Sequence, residues 1–224
     1  GGHVPGHGQS RHDLPPLTSP APAPEKKSLL ARERDEKARQ HFRNIAEAFA
    51  INNYVFIDEM GTNLGMTRQY GRAAPGTRVL EQVPGDRGGN VSTIGAMALD
   101  GLRTGLSVPG AIDGDTMLFF VEELLVTTLK RGDIVVIDNS PIHKLDEIED
   151  AIEAVGAWVL FLPTYSPDLN PIENCWSKVK TCLRALKPRT LPDLLDALVT
   201  AFASITEHDI RGWFGHCGYR AAPT

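Results

Sequence analysis

Apolar positions recur along this chain in two rhythms. Among residues 28–49, Ala38, Phe42, Ile45 and Phe49 return at intervals of three and four between alternating charges, which predicts a helix docked along one face. Residues 54–59, YVFIDE, form a short β-prone run closed by acids and predict a buried strand. Residues 64–70, 91–99 and 101–108 predict further strands, and strands in direct succession pair as an antiparallel meander. The rhythm then changes. A helix over 115–129, the strand DIVVIDN, a helix over 144–155, the strand WVLFLP and a helix over 171–186 alternate as parallel strands joined by crossover helices do. One more helix is expected over 191–205, followed by an end segment carrying Trp213, Phe214 and Tyr219. The expected class is therefore α/β: a mixed sheet, antiparallel strands first and parallel strands after, flanked by helices.

Composition adds boundaries to this picture. Residues 1–27 are dominated by Gly, Pro, Ser and His, with too little apolar content to pack, and are expected to be a disordered tail or linker. His3, His7 and His12 are expected to be solvated there rather than to bind metal. Residues 28–50 form a linker helix, 51–216 the folded domain and 217–224 a tail. The net charge of −5 is unlike that of a small basic nucleic-acid module, so any DNA contact must be local. Three cysteines without a C-x-x-C pair speak against a disulfide framework and a structural zinc site. No apolar run nears the roughly 20 residues that span a bilayer. The expectation is a soluble protein of the cytoplasm with no membrane partner.

Against that background three acids stand out. Asp138 ends the strand Ile134, Val135, Val136, Ile137, and Asp58 ends Val55, Phe56, Ile57 in the same way. Ligands of open α/β sheets gather at the carboxyl ends of strands, where the loops diverge. A single acid there could simply form a turn or cap a helix; two matched ones suggest chemistry. The third lies in LPTYSPDLNPIE, where Asn170 suits an N-cap and Pro171 the first helical position, which sets Glu173 in the first turn. Along that helix Ile172, Cys175, Trp176, Val179, Leu183 and Leu186 make an apolar stripe, and Glu173, Ser177, Lys180, Arg184 and Lys187 fall beside it. An acid followed by three cations suits a metal-binding carboxylate next to a groove for phosphates, although a solvated face has the same pattern. Asp58, Asp138 and Glu173 would offer hard oxygen ligands to two Mg²⁺ or Mn²⁺ ions, the arrangement that serves in-line phosphoryl transfer.

At these residues the chain resembles the mariner-type transposases, in their bacterial insertion-sequence branch (insertion sequence 630-like). The likeness rests on VFIDEMG, VIDNSPIHK and LPTYSPDLNPIENCWSKVK, and on the 34 residues separating Asp138 from Glu173. It implies a ribonuclease-H-like fold for the domain over 51–216 and a DDE catalytic triad of Asp58, Asp138 and Glu173. It also implies Asn139 beside the metal site and His143 at the start of the next helix, both expected to contact DNA; for Lys180, Arg184 and Lys187 the expectation of DNA contact rests on the helix pattern above. For His143 a plain helix-start hydrogen bond is the alternative.

The activity the resemblance implies is hydrolysis at transposon ends, then transfer of the freed 3′-hydroxyl strand into target DNA. Partners would be double-stranded DNA and a second copy in a homodimer, with the chain associated with the nucleoid. The helix-turn-helix region with which such enzymes read their ends is not recognisable here. Two other readings stay open: a ribonuclease-H-like nuclease without strand transfer, and an inactive remnant acting by DNA or protein binding. Finally, residues 71–90 form a loop longer than a hairpin needs, with Arg72, Arg78 and Arg87, and are expected to reach a second subunit or its DNA.

Overall fold

The computed structural model describes residues 1–2, 34–68, 70–85, 88–139 and 146–220. The fold below is that of the unit Ala31–Thr224. The expectations for residues 3–33, among them disorder, the solvated His3, His7 and His12 and the first part of the linker helix, and those for Arg87 and His143 lie outside the described residues.

Five strands form one sheet in the order β3-β2-β1-β4-β5, with β1 Tyr54–Thr62, β2 Val91–Ala98, β3 Gly101–Pro109, β4 Ile134–Ile137 and β5 Trp158–Phe161. β1, β2 and β3 pair antiparallel, and β4 and β5 join β1 in parallel. This is the mixed sheet the sequence predicts, with six α-helices around it among the described residues: α1 Glu36–Ala46, α2 Gly114–Phe119, α3 Asp146–Ala154, α4 Pro171–Leu186, α5 Leu191–Ala203 and α6 Glu207–His216. The architecture is ribonuclease-H-like. Strand alternation divides the core in two. Val55, Ile57, Val135 and Ile94 pack with α3 and with α2, which runs on as a π-helical turn, Phe120–Leu125. Tyr54, Phe56, Met60, Val136 and Met97 pack on the other face with Trp176, Val179 and Leu183 of α4, and with α5 and α6.

Four expectations need correction. Residues 64–70 form no strand among those described; this segment is instead held by Arg189, whose Nη1 donates to the carbonyls of Leu64 at 2.8 Å and Met66 at 3.0 Å. Helix α1 starts only at Glu36, where Asp35 accepts from the backbone N–H groups of Lys37 and Ala38, and it ends at Ala46. Its buried face is Arg39 with Phe42, while Ala38 and Phe49 are exposed. The end segment, for which the sequence predicted no helix or strand, is helical. It forms α6, started by a capping box between Thr206 and Asp209, and Phe214 and Tyr219 pack edge-on against Phe56.

The fully buried Arg39 explains how α1 is held. Its guanidinium grips Asp168 with Nη1–Oδ1 at 3.0 Å and Nη2–Oδ2 at 2.7 Å, a fork that satisfies both carboxylate oxygens. Burial would raise the Asp168 carboxyl, but this fork, with Arg34 nearby, holds it below the usual aspartate value. One residue on, Tyr219 donates its hydroxyl to the Leu169 carbonyl at 2.9 Å. The SPDLNP segment is thus tied to α1 on one side and to the end of the chain on the other.

Candidate active site

Alternation decides where the acids of β1 and β4 point. On β1, Tyr54, Phe56 and Met60 face α4, so Asp58, of the same parity, faces it too. On β4, Val136 faces α4, and continuing the alternation one residue beyond the strand turns Asp138 to the same side. The β1–β4 register pairs Phe56 with Val136, and carrying it two residues further sets Asp58 level with Asp138 on adjoining strands. Leu162 donates its N–H to the Ile137 carbonyl at 2.8 Å, which keeps the following loop over the same sheet edge. That loop passes through Tyr165 with φ 54, a single 3₁₀ turn at Pro167–Leu169, and Asn170 before α4 begins at Pro171. Glu173 then stands in the first helical turn.

These elements enclose a cleft of about 360 Å³ lined by Asp58, Asp138, Asn139, Asn170 and Glu173, with Tyr165 at its exposed rim. The structure therefore brings together the three predicted acids and Asn139. Lys180 lies close enough to Glu173 to favour its charge. Lys187 does not continue that stripe. It is the left-handed C-cap of α4, with φ 55, and pairs with Glu81 of the β1–β2 loop.

Electrostatics in the cleft run against holding three negative charges. Burial, then repulsion from Glu173 and Asp138, pushes the Asp58 carboxyl from the usual 3.8 up to about 7, despite hydrogen bonds from the Glu59 backbone N–H and from Trp176. Glu173 is also raised, by burial and by Asp138, with Lys180 opposing. Among the described residues, no three His, Cys, Asp or Glu side chains already stand close enough to close on an ion. The donors nonetheless fit a hard divalent cation. Three carboxylates converge on one cleft, repel one another there, and are joined on its wall by the Asn170 Oδ1, a buried oxygen without a hydrogen-bond partner. The sequence suggested that Asn170 caps α4, but its side chain makes no capping bond.

Two contributors were not visible as functional in the sequence. Trp176, which counted only as part of an apolar stripe, donates Nε1–H to Asp58 Oδ2 at 3.1 Å and so orients the acid. Gly95, paired across the sheet with Asp58, makes room for that indole: a Cβ there would come within 2.5 Å of the ring. The residue on β2 opposite an acid must be small when an α4 tryptophan reaches across to it, a signal that appears only once the register is known.

The raised Asp58 carboxyl predicts a pH effect. Because its folded pKa exceeds the unfolded one, the folded state holds the proton more tightly between the two values; the resulting stability is present below about 3.8 and is lost as pH rises through about 7. In chelator, urea unfolding should show wild-type stability falling over that window relative to Asp58→Asn, by on the order of 4 kcal/mol. Parallel pH profiles for the two proteins would refute the assignment.

A mixed sheet of this order, with one acid in the middle of its first strand (β1 runs on past Asp58 to Thr62, although the sequence suggested that Asp58 ends it), one just after its fourth and one at the start of a helix packed on it, defines a ribonuclease-H-like domain built around a carboxylate cleft. The family model of the DDE superfamily endonucleases matches residues 53–195, and the chain belongs to that family. Its fold is similar to that of the Mos1 transposase in its paired-end complex with the left transposon end, with TM-score 0.69 and 16% identity over 87% of this chain and 63% of that one. It is similar also to the Mos1 mariner paired-end complex with Mn, with TM-score 0.69 and 17% identity over 87% of this chain and 64% of that one. For the catalytic domain of Mos1 mariner transposase, the TM-score is 0.61 with 14% identity, and 87% of this chain covers 94% of that domain. The chain thus spans somewhat under two thirds of the Mos1 chains in those complexes. No curated protein sequence matches it.

Proposed function

We propose that this chain is the catalytic domain of a cut-and-paste DNA transposase of the mariner type, in the bacterial insertion-sequence branch. The observation that carries the reading is the single cleft in which Asp58, Asp138 and Glu173 meet, within a chain of the DDE endonuclease family. Asp58 and Asp138, level on adjoining strands, would hold Mg²⁺ or Mn²⁺ jointly, with Glu173 completing the set from α4. Bound there, two such ions would activate the attacking oxygen and stabilise the leaving one.

The chain's own residues have the remaining tasks. Trp176 and the Glu59 N–H fix the Asp58 carboxylate, and Asn139 and Asn170 offer polar groups at the cleft wall. Lys180 supplies positive charge beside Glu173, where a scissile phosphate would lie. Water attacks a phosphodiester at the transposon end and leaves a 3′-hydroxyl; that hydroxyl then attacks a target phosphodiester and displaces its 3′-oxygen. Both steps are in-line displacements at phosphorus and can use one cleft in turn. Partners in this reading are double-stranded DNA and a second copy of the chain. Among the described residues, no helix is long and apolar enough to cross a membrane.

Incubation with a pre-cut transposon end, target plasmid and Mg²⁺ tests the proposal. The expected product is plasmid joined covalently to the end, absent with Asp138→Asn. Nicking without joining would instead establish a nuclease that only hydrolyses, and neither product would establish a remnant.

A further inference from the structure

Helix α4 leads away from the cleft along a charged stripe. At 1.5 Å per residue, Lys180 lies about 10 Å and Arg184 about 16 Å down the axis from Glu173. At Arg184 the helix meets the β1–β2 loop. There Thr181 and Arg184 face Arg68 and Tyr70 across an open pocket of about 480 Å³, which no carboxylate lines. Among the described residues, neither Arg68 nor Arg184 has an ion-pair partner. The loop wall is anchored from both sides: Arg189 holds the carbonyls of Leu64 and Met66, and Lys187 pairs with Glu81. Two guanidinium groups from separate segments thus line one pocket without an acidic partner, together with Tyr70 and Thr181.

We infer that this pocket binds a backbone phosphate of the DNA strand whose scissile phosphate occupies the carboxylate cleft, about three nucleotides away. The spacing follows from the 16 Å along α4, which about three nucleotides cover because a duplex strand winds around its axis while advancing roughly 3.4 Å per nucleotide along it. The guanidinium forks suit a phosphate's oxygens, and the Tyr70 hydroxyl can donate to the same group, while the Thr181 hydroxyl donates to the Ser177 carbonyl at 2.8 Å and only lines the pocket. The pocket then fixes the strand's direction across the cleft, and Lys187 serves to secure the loop wall rather than to contact DNA. This inference rests on the DNA-cleaving reading above, but its test does not require cleavage.

Binding of a 20-base-pair duplex, read by fluorescence anisotropy in chelator over a range of salt, supplies that test. The double variant Arg68→Ala/Arg184→Ala should bind at least tenfold more weakly at low salt, with the slope of log K against log salt reduced by about 1 to 2. The control Lys130→Ala/Arg131→Ala, at the opposite end of β4 from Asp138, should leave the slope unchanged. An unchanged slope in the pocket variant, or an equal loss in the control, would overturn the inference. Where the wild type cuts, ethylating the phosphate about three nucleotides from the cut should block it, and should not do so in the pocket variant. A block only at other distances would overturn the geometry. Salt-dependent binding that needs the pocket, in a protein that never cuts, would leave the pocket standing and remove the nuclease reading.

Discussion

Asp138→Asn is expected to cut DNA at least about a thousandfold more slowly than the wild type, and Asp58→Asn and Glu173→Gln to match it. Each substitution removes one charged oxygen from the cleft the three acids share. Stabilising the transition-state charge through metal ions contributes several kcal/mol, and about 4 kcal/mol corresponds to a factor of 10³. Stability should move the other way for Asp58→Asn. At neutral pH the substitution removes a half-buried group that Glu173 and Asp138 repel, so the metal-free variant should unfold at higher urea than the wild type. A variant that is dead and more stable is hard to explain by misfolding. Wild-type cutting rates for any of the three would take that acid out of the active site.

The second large effect is expected far from the cleft's chemistry. Asp168→Asn should cost about 3 kcal/mol of stability, because it breaks the two-bond fork and leaves the fully buried Arg39 with only the longer contact to the exposed Glu36, at 3.5 Å. Arg39→Met together with Asp168→Asn should recover much of this, since the buried charge is gone. Cutting should fall in the single variant, because Asp168 lies two residues before Asn170 and five before Glu173 in the segment that forms the cleft wall. Urea denaturation and cleavage on the same preparations would measure both. A loss below about 0.5 kcal/mol for Asp168→Asn would mean that α1 is not held by this pair.

What could be read from the sequence followed from local chemistry. The apolar runs before Asp58 and Asp138 mark buried strands, and Pro163, Pro167 and Pro171 mark a break followed by a helix start. Those signals place three acids without knowledge of the register. What stayed hidden depends on distant partners. Arg39 looks like a solvated charge because Asp168 is 129 residues away. The role of Trp176 depends on Asp58, 118 residues away, and on Gly95 for space. The segment over 64–70 has a strand's composition but is captured by Arg189, which uses its carbonyls before a neighbouring strand can. Helix α6 has two glycines and a weak apolar period, yet Thr206 and Asp209, three apart, carried the capping-box signal in plain view.

The central claim, that Asp58, Asp138 and Glu173 form one divalent-metal site, is tested most directly by calorimetric titration of Mn²⁺ into the full chain at pH 6, in two buffers of different ionisation heat. The account predicts binding with proton release, because the Asp58 carboxyl, held up to about 7, must give up its proton to become a ligand. It predicts at least tenfold weaker binding in Asp58→Asn, Asp138→Asn and Glu173→Gln alike, with proton release reduced most in the first, whose carboxyl is raised to about 7. Wild-type affinity in any one of the three variants, or binding without proton release, would contradict it.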